Sequence, residues 1–235
     1  RRKTYNMKKI IDLICDTGSF FEISPFYGKS RITGFARFNG FSAGIIANNP
    51  HFLGGSTDVT GGSKVNRFLQ VCDIFNIPVV MFTDEPGFLV GLESEKQGIE
   101  RAGARLMSTI CLSKMPIFTV VISKVYGVAG QCSHRPTGMF KRICWPSSNW
   151  GSMHISGGVT AAYKSEIEKA SDPEAKKVEI ETRLKNITSP FRTAETTGQN
   201  IIDPRDTRSH ICSFLEQSQR VLKRQVGTSR FLFLP

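Results

Sequence analysis

Two apolar runs constrain the fold more than anything else in this chain: IPVVMF (residues 77–82) and IFTVVI (residues 117–122). Each is strand-length and rich in β-branched residues. Each is followed by a glycine-bearing segment, EPGFLVG (residues 85–91) after the first and YGVAG (residues 126–130) after the second. Neither run approaches the roughly 18 apolar residues of a membrane span. Between them, residues 93–113 carry Ile99, Ala102, Leu106 and Ile110 on one face, the spacing of an amphipathic helix. Buried strands alternating with such a helix point to an α/β layered domain.

The flanking segments extend this pattern. ITGFARF and FSAGIIA sit on either side of Asn39-Gly40, the pair that best suits the two positive-φ positions of a type I′ hairpin turn. VNRFLQVCDIF (residues 65–75) has helical spacing, so the middle of the chain reads strand, strand, helix, strand, helix, strand. Beyond residue 142, ICWP and SMHIS read as short strands, and residues 158–170 and 173–186 as helices. Glu174, Lys177, Glu181 and Lys185 make a solvated face on the second of these. A closing helix is expected with Asp203 as N-cap and Pro204 at its first position. With 235 residues the chain can bury a proper core. Residues 1–224 are expected to form one domain and 225–235 a loose tail.

The net charge of +11 is unevenly spread: no Asp or Glu occurs between Glu100 and Glu166, a window holding Arg101, Arg105, Lys114, Lys124, Arg135, Lys141, Arg142 and Lys164. Such a surface either aids solubility and nonspecific nucleic-acid binding or draws in anionic substrates. The window also lacks any carboxylate for general acid–base work. The six cysteines are scattered, with no CxxC, and read as reduced thiols of an intracellular protein, in the cytoplasm or the mitochondrial matrix. A chain beginning at Arg1 reads as a piece of a longer one.

Several motifs fail on context. GFSAG (residues 40–44) matches a nucleophile elbow, but Ser42 falls early in the second hairpin strand rather than at a strand-to-helix turn. The spacings of Cys132, His134, Cys144 and His154 fit no familiar zinc module, so no metal is expected. Neither G-x-G-x-x-G nor a Walker A sequence is present. Asp84 reads either as a cap for the Pro86-Gly87 loop or as a ligand contact. What remains is glycine-rich backbone at strand ends: FLGG (residues 52–55), EPGFLVG and YGVAG. Loops at the carboxyl ends of α/β strands are where ligands bind, and helices starting there aim N–H groups at anionic oxygens. Ordinary tight turns would have the same composition.

The series TGFARFNGFSAGIIANNPHFLGG, FLQVCDIFNIPVVMFTDEPGFLVG, GIERAGARL and SKVYGVAG, closed by SPFRTAETTGQNIIDPRDTRSHI, resembles the carboxyl-terminal half of the biotin-dependent acyl-CoA carboxyltransferases. These are the propionyl-CoA and acetyl-CoA carboxylase β-subunit type. The likeness runs in order over residues 5–222. It implies a crotonase-like fold of repeated ββα units. It also implies that this domain moves a carboxyl group from carboxybiotin to the α carbon of an acyl-CoA, with backbone N–H groups as its anion stabilisers.

By position, the resemblance puts the biotin-side oxyanion hole at Val128 and Ala129, with Gly130 adjacent. Gln131 falls where family members differ in acyl preference. Asp84, Pro86, Gly87 and Phe88 fall in the loop beside the biotin pocket, and Gly54 and Gly55 in its architecture. Biotin would arrive as carboxybiotin on a carrier. The implied partners are acyl-CoA, an amino-terminal half on the same longer chain or a separate subunit, a biotin carboxylase and biotin carrier subunit, and further copies in a homo-oligomer; no membrane or nucleic acid is implied. Family members often carry a second glycine where this chain has Val128, and valine donates its N–H equally well if its φ is negative. The segment CSHRPTGMFKRI is bulkier and more basic than the family pattern. The alternative readings are a non-catalytic structural subunit, which a turn filled by Arg135, Met139 or Phe140 would mark, and a stand-alone acyl-CoA hydrolase or decarboxylase.

Overall fold

The structure, a computed structural model, describes residues 4–134, 137–152 and 155–226. Arg135 and His154 lie outside the described residues, as does the expected tail from residue 227 onward. The chain opens with α1 (Met7–Ile14) and a short β1 (Phe21–Ile23). The expected hairpin follows as β2 (Arg31–Phe38) and β3 (Phe41–Asn48), with Phe38 paired to Phe41 across Asn39 and Gly40, whose φ values are 51° and 81°. Next come α2 (Val59–Ile74), β4 (Val79–Glu85), α3 (Leu92–Lys96), α4 (Ile99–Leu112) and β5 (Ile117–Tyr126). After a one-turn helix α5 (Gly127–Gln131) stand β6 (Phe140–Cys144) and β7 (Asn149–Gly151). Four helices follow, α6 (Ile155–Ala162), α7 (Lys164–Glu168), α8 (Pro173–Ile187) and α9 (Pro190–Thr197); β8 (Asn200–Ile201) and α10 (Thr207–Gln225) close the chain.

The strands form one sheet in the order β1-β2-β3-β4-β5-β6-β8, with β7 also paired to β5. It is antiparallel through the hairpin and parallel from β3 onward. Both faces of the parallel part are covered, as continuous apolar runs require. Because side chains alternate along a strand, Val80 and Phe82 of β4 join Phe38, Ile45 and Phe118 under α1 and α10, through Met7, Ile11, Phe214 and Leu215. Val79 and Met81 face the other way and join Val65, Leu69, Leu106 and Ile110 of α2 and α4.

Several boundaries differ from expectation. The helix at 93–113 is broken at Gly98, whose φ of 83° separates α3 from α4. The strand expected at SMHIS falls partly outside the described residues, at Met153 and His154; of the rest, strand pairing ends before Ser152, at Gly151, and a helix starts at Ile155. The helix expected at 158–170 starts at Ile155 and stops at Ala162, and Lys164–Glu168 is a separate turn. Asp203 and Pro204 open a 3-10 turn that leads into α10 rather than α10 itself. Helices α1 and α9 were not anticipated, and Gln225, expected in the tail, is the last residue of α10.

Residues 56–58 lead directly from the turn after β3 into α2, and a carboxylate holds the start of that helix. Asp58 is its N-cap, with Oδ1 accepting from the Gly61 N–H at 3.1 Å; the Ser30 and Thr60 hydroxyls also donate to this carboxylate. Burial pushes the Asp58 carboxyl up, but these three donors outweigh it and hold the group below the ordinary carboxylate range. A depressed native pKa stabilises the fold above the unfolded-state value and is lost as pH falls through the native one. Asp58→Ala should therefore cost about 1 kcal/mol in urea unfolding at neutral pH. The deficit should shrink below about pH 4; one that does not change with pH would refute this account.

Candidate active site

The chain turns sharply at the end of β5. Gly127 takes φ 58°, a left-handed conformation that a side chain would strain, and this starts α5 directly after the strand. Gly130 is required for a different reason: a Cβ there would lie 2.8 Å from Val125 Cγ1 and 3.0 Å from its carbonyl carbon. The turn thus folds back onto its own strand. Val128 is not among the positive-φ residues, so the glycine at 127 absorbs the unusual geometry and valine follows without strain.

Tyr126 is the N-cap of this turn. In a helix so placed, the first internal hydrogen bond runs from the N–H of residue 130 to the N-cap carbonyl, which leaves the N–H groups of Gly127, Val128 and Ala129 with no acceptor inside the helix. They adjoin a cavity of about 730 Å³ between the turn, the loop after β4 and α6. Its walls include Pro86, Phe88, Leu89, Val90, Val128, Ala129 and Ala161; its polar lining side chains are Ser56, Tyr126 and Ser152. Ser56, Pro86, Tyr126 and Ser152 follow or end β3, β4, β5 and β7, so the cavity sits at the carboxyl edge of the parallel strands.

The β4 loop is held by a buried carboxylate, Glu85, which is 1% exposed. Its Oε2 accepts from Arg31 at 2.9 Å, Thr57 at 2.6 Å and Asn48 at 3.0 Å. Its Oε1 accepts from the Gly87 N–H at 3.0 Å. Thr57 further pairs with this loop by backbone, donating to Gly87 and accepting from Leu89. The Phe88 ring lies against α4 where Gly103 leaves room; a Cβ at 103 would come within 2.8 Å of it.

Pro86, Gly87, Phe88, Val128 and Ala129, named from the sequence, are therefore brought to one cavity, with Gly130 directly behind. Gly55 is buried one residue before Ser56, its carbonyl accepting from Asn48, while Gly54 is exposed and off the cavity. Gln131 is also exposed, at the far end of α5, and does not line it. Asp84 neither caps the loop nor reaches the cavity. A register shift between Thr83 and Glu85 turns it inward, where Tyr5, the Lys124 N–H and the Lys124 ammonium donate to it. The loop cap is its neighbour Glu85. Met139 and Phe140 pack into the cores and do not fill the turn. Cys132, next to the turn, is no nucleophile: burial pushes its thiol up to about 12. The described residues hold no group of three or more His, Cys, Asp or Glu that could bind a metal ion, and no helix among them is long and apolar enough to cross a membrane.

Residues 1–228 match the family model described as the carboxyl transferase domain. The chain belongs to the carboxyl transferase domain family. It is 34% identical over 227 residues to the propionyl-CoA carboxylase carboxyltransferase subunit of Haloferax mediterranei, covering 95% of this chain and 44% of that one. It is 36% identical over 219 residues to the methylmalonyl-CoA carboxyltransferase 12S subunit of Propionibacterium freudenreichii subsp. shermanii, covering 92% and 42%. A transcarboxylase 12S crystal structure, described as a hexamer assembly with methylmalonyl-coenzyme A and methylmalonic acid bound, superposes with a TM-score of 0.83 at 32% identity, over 99% of this chain and 44% of that one. The chain thus spans less than half the length of these relatives. The crotonase-like α/β fold and the carboxyltransferase resemblance of the sequence both hold. The ββα unit is clearest in β2, β3 and α2.

The geometry singles out Glu85 as the residue on which the wall of this cavity is built. Glu85→Gln should leave the Arg31 guanidinium buried without a counter-charge and cost about 3–5 kcal/mol. Adding Arg31→Met should restore part of that loss, which a double-mutant cycle in urea would measure. Additive losses would show that the pair is not coupled.

Proposed function

We propose that this chain supplies the biotin-side half of an acyl-CoA carboxyltransferase site, for transfer of a carboxyl group from carboxybiotin on a carrier to the α carbon of an acyl-CoA. The observation that carries the reading is the pair of N–H groups at Val128 and Ala129, unused inside their own helix and adjoining a largely apolar cavity. A neutral bicyclic ureido ring needs apolar walls and, at its carbonyl, hydrogen-bond donors. Pro86, Phe88, Leu89 and Val90 provide the first and the α5 turn the second. When bound, carboxybiotin supplies the CO2 unit. Val128 and Ala129 then hold the negative charge that develops on the ureido oxygen, with no reorganisation of the backbone at that moment. Gly127 and Gly130 set the turn, and the Glu85-fixed loop closes the opposite wall.

The acyl-CoA groove and the second oxyanion hole are assigned to an amino-terminal half, on the same longer chain or a separate subunit. A biotin carboxylase and biotin carrier subunit would deliver the carboxyl group, in a cytoplasmic or mitochondrial assembly. Val90 and Val128, at the cavity, are 87% and 60% exposed, apolar surface suited to cover by another half-domain in a homo-oligomer. The names of the relatives make propionyl-CoA the first substrate to try.

Ala129→Pro deletes one donor at a position in the first helical turn, where proline is tolerated. In the native assembly, supplied with carboxylated biotin carrier and propionyl-CoA, this substitution should lower kcat by about 10²–10³. Turnover that survives it undiminished would remove the oxyanion reading.

A further inference from the structure

We propose a second binding site on this chain, for a phosphate-bearing anion of nucleotide size, in the cleft between α2 and α4. The cleft encloses about 460 Å³ and shares no lining residue with the cavity at the strand ends. It is bordered by Ser63, Asn66, Arg67 and Gln70 from α2, and by Gly98, Arg101, Ala102 and Arg105 at and along α4. Both sets follow the i, i+3, i+4, i+7 spacing of a single helix face. Where two neighbouring helices face each other, such positions are ordinarily apolar. Here they carry three guanidinium groups and two amides.

The charge is unopposed. No Asp or Glu lines the cleft, and among the described residues Arg67, Arg101 and Arg105 have no carboxylate partner. Gln70 adds an independent mark. It is 3% exposed, it borders the cleft, and its amide nitrogen has no acceptor. A buried donor without a partner opposes folding, and an anion in the cleft would satisfy it. The Asn66 Oδ1 accepts from the Thr109 hydroxyl, which leaves the Asn66 NH2 group to donate. Ala102 and Gly98 are small and keep the space open between the arginines. Guanidinium forks match phosphate oxygens in pairs, and three of them suit a ligand with more than one phosphate charge. The volume falls in the range of small-molecule sites.

The test uses the intact protein that contains this chain, with inorganic pyrophosphate and ADP as probes in calorimetric titrations at two salt concentrations. Both are expected to bind saturably, more weakly at higher salt. Arg101→Gln with Arg105→Gln should weaken both at least tenfold at an unchanged melting temperature, since both arginines are exposed. Ser63→Glu, which places a carboxylate on the exposed rim, should do the same by repulsion and is independent of the arginines. ADP binding more tightly than pyrophosphate would make the ligand a nucleotide; equal affinities would make it a free phosphate compound. No saturable binding of either probe, or binding that both variants retain, would overturn the site. None of these residues lines the strand-end cavity, so carboxyl transfer should be unaffected, and failure of one reading is separable from failure of the other.

Discussion

The buried Glu85 carboxylate is the interaction on which the rest of this site depends. It ties three separated segments together: Arg31 at the start of β2, Asn48 and Thr57 on either side of the turn after β3, and the Gly87 N–H in the loop after β4. A charge this deep is tolerated only when its lone pairs are filled, and here four donors fill them. The wall of the cavity is therefore set by an ionic network rather than by apolar packing, which specifies position less sharply. The adjacent Asp84 does the corresponding job for β5, accepting from both the backbone and the ammonium of Lys124 at a point where the strand register shifts. Two consecutive carboxylates thus fix the ends of two neighbouring strands, and both glycine-bearing segments hang from them.

The division of labour among glycines explains how a valine fits where backbone donors are needed. Within the α5 turn, only Gly127 takes the left-handed conformation, and only Gly130 meets the β5 strand too closely for a side chain. Position 128 has neither constraint. Its side chain is free to stay at the surface while its N–H remains unpaired within the turn. The chemistry proposed here needs the direction of N–H bonds, and the sequence at 127 and 130 controls that direction from either side.

Much of this was legible beforehand. The apolar runs at 77–82 and 117–122, the Asn39-Gly40 turn and the helical face of Ile99, Leu106 and Ile110 each carry a local signal strong enough to name the element. The glycine-rich ends of β4 and β5 pointed to the cavity. The illegible part rests on physics that a sequence pattern lacks. Which of Asp84 and Glu85 faces the loop depends on a register shift between two strands, and periodicity along one strand cannot show it. Arg31, Asn48 and Thr57 reach Glu85 from 28 or more residues away, with nothing local to mark them. Helix α9 is short and opens with Pro190 after Ser189, a start signal with too little apolar patterning behind it. Gln131 follows the turn in sequence yet points to solvent, because a helix of 3.6 residues per turn carries it off the cavity face.

An N–H pair stabilises an anion well only where water is kept out, because the same donors in bulk solvent offer little that water does not. In this chain the floor and one wall meet that condition: Ala129 is 3% exposed and Phe88 is packed against α4. The mouth does not, since Val90 and Val128 stand largely in solvent. The electrostatic value of the turn is therefore incomplete until an apolar surface covers those two side chains. This links the two halves of the proposed site by physics rather than by substrate binding alone. A partner half that supplied every acyl-CoA contact but left Val128 wet would still fall short, because the ureido oxygen would share its donors with water. On the proposed function, cover over the valines belongs to the catalytic machinery, and the exposed apolar side chain at 128 serves assembly rather than marking a defect in the turn.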